Sequence, residues 1–476
     1  MKFLKVFLFA IVIGTLSVSC FEDRDDNSIL ASEINDFVWK GMNATYLYKD
    51  QIPNLANDRF SSNQEYGNYL NSYDVPESLF ESLIYDRPTT DRFSFIVDDY
   101  IAWEQSLGGT NVSNGLRYYF NGHILAIRQV TPNSPADAAG LTRGQYIIQI
   151  DGTDITDSNV NDLLSPDTYT LYFADLNDNG TPETSDDFFT PNGQTQTLTK
   201  TLFTENPVHK TSIIDVDGEK LGYILYNRFN QDFNTQLNAA FGEFKAANIK
   251  HLVIDLRYNP GGSVNTATLL GSMVTGQFTG QVFSKLIWNS ELQELNDTYN
   301  FVNSFDGNAI NSLSLDKVYV LTTGSSASAS ELLINSLKQY ITVVQVGDFT
   351  VGKTQASLTV YDSPHLFDKE NINPNHTYAM QPLVANSINV NDQPVPGTGL
   401  TPDIDIIESF YNLGSFGDEN EPLLSRAIAD IRGTGRIRQL EADKTPLLIP
   451  LDSSINESMY IEPEMVPPLF RKQIFE

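Results

Sequence analysis

Apolar positions recur along the chain with two different periods, and the switches between them divide it into regions. In "ILASEINDFVWKGMNATYLY" the residues Leu30, Ile34, Phe37, Val38 and Met42 fall three to four apart. That is the spacing of one buried helix face, and it predicts a small helical N-terminal domain over residues 28–100. Residues 105–205 change to strands around 123–129 and 145–150, separated by Ser134-Pro135-Ala136 and Ala139-Gly140-Leu141, with turns at Gly144 and Asp151-Gly152. From 207 to 410 apolar strands alternate with helices. A strand over 220–229 precedes a helix with Phe233, Leu237, Ala240, Phe241 and Phe244 on one stripe. The strand "HLVIDL" (251–256) leads through a glycine turn into a helix over 263–275, and the strands 317–323 and 341–347 flank one more helix. Near-continuous apolar strands between helices predict a parallel α/β core. A helix over 419–434 and a proline-bearing extended strap complete residues 411–476.

Charge narrows the range of partners. The chain carries 60 acidic against 30 basic residues, a net charge of -30, and nucleic acid is excluded because phosphate binding needs a basic surface. At 476 residues and 41% hydrophobic content there is material for two or three domains with their own cores. The start, "MKFLKVFLFAIVIGTLSVSC", has two lysines, an apolar stretch short for a membrane span, and small residues, which is a secretory signal over residues 1–19. Its Ser-Val-Ser-Cys ending resembles a bacterial lipoprotein signal, although the usual leucine stands one position further from the cysteine, at Leu16. The resemblance implies a lipid on Cys20, an acidic tether over 20–27, and a cell-envelope location at the outer membrane or on its outer surface, with the lipid as the only membrane contact. An ordinary secreted protein with a chance cysteine is the alternative. Cys20 is the sole cysteine, so no intrachain disulfide forms.

The stretch "GSSASASELL" (324–333) follows an apolar strand and runs into an apolar helix, where Leu333, Leu337 and Tyr340 form a buried face. A serine at such a junction meets helix N-terminal amides that favour negative charge. Hydrolysis at serine also needs a base that is neutral at working pH. His123, His209, His251, His365 and His376 stand in no catalytic context and are read as structural. Lys353, after Gly352 and directly beyond the strand that follows the serine helix, is the other candidate, because a desolvated lysine can lose its proton near neutrality. Which of Ser325, Ser326, Ser328 and Ser330 reacts is not decided by this pattern alone.

Two resemblances sharpen the picture. Residues 105–205 resemble a PDZ domain in the circularly permuted bacterial order. This implies capture of polypeptide C-termini by strand addition, with the carboxylate on the loop holding Gly115, Leu116 and Arg117. "VIDLRYNPGGSV" (253–264), "GSSASASELL" and "VGKT" (351–354), in that order after the PDZ-like region, resemble the C-terminal processing (tail-specific) peptidases. The resemblance implies a crotonase-like α/β core over 207–410, with Ser328 as nucleophile, Lys353 as general base, and oxyanion donors at Ala329 and at Gly261 or Gly262. Glycine in that turn lets backbone amides approach the substrate with no Cβ in the way. No cofactor or metal is implied. Where the family commonly has a lysine-orienting glutamine, this chain has Ser357, with Gln355 nearby.

"DLNDNGTPETSD" places Asp175, Asn177, Asn179 and Asp186 at calcium-loop spacing. A tight Asn-Gly hairpin explains the same residues and is preferred, since Asp replaces the final Glu and no helices flank the loop. A PDZ-bearing lipoprotein scaffold that binds C-termini without cutting is the alternative function. An α/β enzyme acting on a non-peptide acyl substrate is a third, resting on fold analogy. The signal carries its own test: Cys20→Ser is expected to move the mature chain from the detergent phase to the aqueous phase in a two-phase partition. An unchanged distribution contradicts the lipid.

Overall fold

The computed structural model describes residues 32–181, 184–434, 449–450 and 460–461. The signal, Cys20, the acidic tether and most of the expected strap lie outside the described residues. A six-stranded sheet forms the centre, in the order Val208–Val216, Glu219–Tyr226, His251–Asp255, Lys317–Thr322, Thr342–Gly347 and Ile404–Asp405. The first pair is an antiparallel hairpin and the remaining neighbours are parallel. Helices Asn234–Ala247, Val264–Thr275 and Ala329–Leu337 make the crossovers.

Successive strand residues point to opposite faces. Ile224, Tyr226, Leu252, Ile254, Val318 and Val320 pack into one core with the crossover helices. Leu221, Tyr223, Leu225, Val253, Tyr319 and Leu321 enter a second core, covered by Leu423, Leu424, Ala427 and Ile428 of helix Pro422–Ile431. Burial on both faces explains why these strands read as unbroken apolar runs. Helix Ala329–Leu337 is buried almost all round and not along a single face.

The N-terminal helical segment differs from the expectation of a separate small domain. Helix Glu33–Thr45 buries Asn35, Phe37, Val38, Trp39 and Gly41 through Thr45, far more than one stripe. Its residues Phe37 and Met42, with Tyr46 just past its end, share a single hydrophobic core with Val360, Met380 and Val384. The approach is close enough that a Cβ on Gly41 would sit 2.4 Å from Met380 Cε. Strand Phe95–Val97 then pairs antiparallel with Ala379–Gln381, which fixes residues 91–97 against the main body.

A ribbon of Thr110–Ser113 on Thr201–Thr204 forms the neck of the β-rich region. Beyond it, strands Leu116–Phe120, Leu125–Val130, Tyr146–Ile150, Thr168–Asn177 and Phe188–Thr199 enclose a core of Leu125, Ile127, Ile147, Ile150 and Leu171. Strands Thr168–Asn177 and Phe188–Thr199 pair to the Asn177–Phe188 end of a hairpin, with Asn179 at φ 50°. The calcium-spaced oxygens are engaged in hydrogen bonds within the hairpin. Asp175 Oδ1 accepts from the Asn192 amide at 2.8 Å, Asn177 Oδ1 from the Asn179 N–H at 3.0 Å, and Asp186 from the Thr181 hydroxyl at 3.0 Å. Among the described residues no group of three or more His, Cys, Asp or Glu could hold a metal ion.

An ion cluster joins this region to the core. Arg257 is fully buried and bonds Asp255, Glu408 and Glu421, while Arg143 from the β-rich region bonds Glu408 as well. Tyr119 and Tyr258 also donate to Glu408, at 2.7 and 2.8 Å. Burial alone would raise the Glu408 carboxyl; Arg143 and Arg257 outweigh it and hold the group at about 2. Glu408→Gln leaves two buried guanidinium groups short of counter-charge. It is expected to lower unfolding free energy by about 3–5 kcal/mol in urea titration, and a change near zero contradicts a structural role.

Candidate active site

Strand Lys317–Thr322 ends in a loop whose serines take distinct positions. Ser326 Oγ donates to Leu256 O at 2.7 Å and Ser330 Oγ to Asn259 O at 3.0 Å, so both hydroxyls tie the loop to the neighbouring strand end and turn. The Ser325 N–H donates to Thr323 Oγ1. Ser328, buried at the N-terminus of helix Ala329–Leu337, adopts φ 64° and ψ -112°, a region disfavoured for a residue with a Cβ. This sharp turn sets it apart from the other three.

The glycine turn packs directly on it. A Cβ on Gly261 (φ 113°) would lie 2.8 Å from Ser328 Cβ and 2.9 Å from Ala329 N, and one on Gly262 (φ 129°) would lie 2.1 Å from Phe229 O. Both positions therefore require glycine. The two amides differ in availability. The Gly261 N–H donates to Asn259 Oδ1 at 2.9 Å, while the Gly262 and Ala329 N–H groups have no acceptor among the described residues. The amides open to an incoming oxygen are thus those of Ala329 and Gly262.

Glu331 connects the serine to the lysine. Its Oε2 accepts from the Ser328 N–H at 2.7 Å and from the Lys353 N–H at 2.9 Å; its Oε1 accepts from the Gly352 N–H at 2.7 Å and from the Thr350 hydroxyl. Burial raises this carboxyl, and the four hydrogen bonds pull against that rise. Glu331 was not among the expected site residues. Its signal was present, because Ser328 and Glu331 stand at capping-box spacing.

Lys353 is 1% exposed, and its Nζ makes no hydrogen bond among the described residues. Burial pushes it down to about 7, against the opposing pull of the Asp91 and Glu331 carboxylates. The Nζ lies 4.9 Å from the centre of the Phe93 ring. Arg92 donates to Val351 O at 3.0 Å, clamping this segment onto the Gly352-Lys353 loop. Asp91 is held by the Tyr46 hydroxyl at 2.7 Å and the Ser94 N–H at 2.8 Å. The expected orienting partners do not fill that role. Gln355 Nε2 donates to Tyr48 Oη at 2.8 Å, and Ser357 Oγ accepts from Gln381 Nε2 at 3.1 Å. Phe93 and Asp91 surround the amine instead, and no local sequence pattern announces them.

The carboxylate loop of the β-rich region also departs from expectation. Gly115 N–H donates to Ser113 Oγ and Leu116 N–H to Asn114 Oδ1, so short polar side chains within two residues already satisfy these amides. Arg117 is paired with Glu205 at 3.0 Å. Gly115, Leu116 and Arg117 therefore do not form an open cradle. Of the histidines, His209 is held neutral by burial, at about 4, beside Gln129 and Asn227. His376 bonds Asp362.

Comparison with known proteins places the same regions in order. A sequence model of the peptidase S41 N-terminal domain matches residues 33–95, one of the PDZ domain matches 127–167, and one of peptidase family S41 matches 220–406. The chain is 26% identical over 343 residues to a chloroplastic C-terminal processing peptidase of Tetradesmus obliquus, covering 69% of this chain and 66% of that one. It is 24% identical over 264 residues to a carboxyl-terminal-processing protease of a Picosynechococcus strain, covering 54% and 58%. The chain thus spans less than two thirds of either relative's length. A crystal structure from Bacteroides fragilis assigned as an S41 protease superposes with a TM-score of 0.69 at 26% identity, covering 83% of this chain and 97% of the other.

The surroundings of Lys353 give a direct expectation. Asp91 stabilises the ammonium form, so Asp91→Asn should move the Lys353 titration midpoint below about 7 in lysine-selective NMR. An unmoved midpoint contradicts the electrostatic role.

Proposed function

Because the chain belongs to peptidase family S41, we propose that it is a serine endopeptidase of the C-terminal processing type, using Ser328 and Lys353 as a dyad. The observation that carries this reading is the Glu331 carboxylate oxygen shared by the Ser328 and Lys353 amides, beside a buried amine at about 7. A general base works best when its pKa lies near the operating pH.

Neutral Lys353 Nζ takes the Ser328 hydroxyl proton as Oγ attacks the scissile carbonyl carbon. The carbonyl oxygen gains the charge and is held by the Ala329 and Gly262 amides. Collapse breaks the C–N bond, and the leaving amine takes the proton from Lys353. Water then gives a proton to Lys353 and attacks the ester carbonyl; as the C–O bond breaks, Lys353 passes that proton to Ser328 Oγ, releasing the new carboxyl end and restoring both Ser328 and the neutral amine. Substrates are polypeptides, presented through their C-terminal region by the PDZ domain. A lipid on Cys20 would hold the enzyme at the cell envelope.

Casein cleavage by the purified mature chain tests this. Ser328→Ala and Lys353→Ala are each expected to lower kcat by about a thousandfold or more. Since protonated lysine cannot accept the serine proton, kcat/KM should rise tenfold per pH unit below about 7 and level off above it. Cleavage by Ser328→Ala at the parent rate would overturn the assignment.

A further inference from the structure

Two described pieces of the C-terminal segment lie where an extended polypeptide would be expected to bind. Tyr460 forms parallel bridges to both Ser263 and Ser357. Its N–H donates to Gly262 O at 3.1 Å, its carbonyl accepts from Val264 N–H at 3.4 Å, and the Ile461 N–H donates to Ser357 O at 3.0 Å. Tyr460 is 8% and Ile461 3% exposed. This two-residue strand is thus seated between the glycine turn, whose Gly262 amide is assigned above to the oxyanion, and the short strand Gln355–Ser357 that follows Lys353. Upstream, Ile449 and Pro450 pair antiparallel with Phe120 and Tyr119, on the side of strand Leu116–Phe120 opposite to Leu125–Val130.

We infer that the chain's own C-terminal segment is a strand-mode ligand of both edges, competing with incoming polypeptide for the PDZ edge and for the catalytic cleft. The inference rests on the peptidase reading for the identity of the competitor. Sheet edges present unpaired N–H and C=O groups that any extended backbone can fill, and strand addition is a general mode of peptide capture. The bonds from Gly262, Val264 and Ser357 are all to main-chain atoms of Tyr460 and Ile461, so they place no demand on substrate sequence. A carbonyl or amide engaged by the segment is withdrawn from the substrate. Tethering gives such an occupant an effective concentration of about the millimolar range, enough to compete with substrates of ordinary affinity.

The test separates this inference from the activity on which it rests. In the full-length Ser328→Ala chain, amide hydrogen exchange is followed with and without a saturating unstructured casein-derived peptide, whose binding is monitored by fluorescence anisotropy. Residues 460–461 are expected to lose protection when peptide binds, while Ser263, whose N–H donates to Phe229 O, keeps its own. Unchanged protection at 460–461 overturns the inference and does not depend on turnover. In the active chain, the double variant Tyr460→Pro/Ile461→Pro removes both donating N–H groups and is expected to lower KM for casein several-fold. An unchanged KM, or a fall in activity together with a fall in Tm, marks the segment as a structural strut and overturns the inference. Failure of the peptidase reading would show separately, as Ser328→Ala cleaving casein at the parent rate.

Discussion

The arrangement depends on one buried carboxylate. Glu331 lies at the third position of the serine helix and accepts from the amides of Ser328, Gly352 and Lys353 and from the Thr350 hydroxyl. A buried charge is tolerated only when fully hydrogen-bonded, and two of the four donors that satisfy this one are the backbone amides of the proposed nucleophile and base. Hydrogen bonds to a charged acceptor contribute about 1.5–3 kcal/mol each. That is enough to offset the roughly 1–3 kcal/mol of strain of a serine held at positive φ. Fold and site meet here, because the carboxylate joins the loops that leave two adjacent parallel strands, Lys317–Thr322 and Thr342–Gly347.

The amine of Lys353 is governed by opposing effects of unequal size. Burial lowers its proton affinity and the carboxylates of Asp91 and Glu331 raise it, with burial prevailing. Asp91 and Phe93 come from the segment that follows the N-terminal helices, so that segment does more than cover the core. The packing of the N-terminal helix with Val360, Met380 and Val384, the pairing of Phe95–Val97 with Ala379–Gln381, and the Arg92 bond to Val351 bring the aromatic ring and the carboxylate to the lysine. Displacement of the N-terminal helices would therefore alter the base without touching Lys353 itself.

How much of this was legible follows from the range of the interactions. Strands buried on both faces announce themselves as apolar runs, so the central sheet and its crossovers were readable. The serine junction and the glycine turn were readable as local motifs, and Ser326 and Ser330 proved to be loop fasteners. Glu331 was visible in the spacing but received no role. Ser357 and Gln355, the expected lysine partners, bond Gln381 and Tyr48, which are distant in sequence. Phe93 reaches Lys353 across a similar gap. The helix Glu33–Thr45 was misjudged for a related reason: a helix buried on several faces hides the stripe that would reveal how far it is enclosed. The carboxylate loop was a local error, since Ser113 and Asn114 could have been recognised as caps for the amides just after them.

The central claim is that Ser328, and no other serine of its loop, is activated by a lysine that loses its proton near neutrality. Labelling with a serine-reactive fluorophosphonate, with the modified residue mapped by mass spectrometry across a pH series, tests it most directly. A single label on Ser328 is expected, with a rate that rises through pH of about 7 and is lost in Lys353→Ala. A label on Ser325, Ser326 or Ser330, or a rate on Ser328 that ignores Lys353, would contradict it.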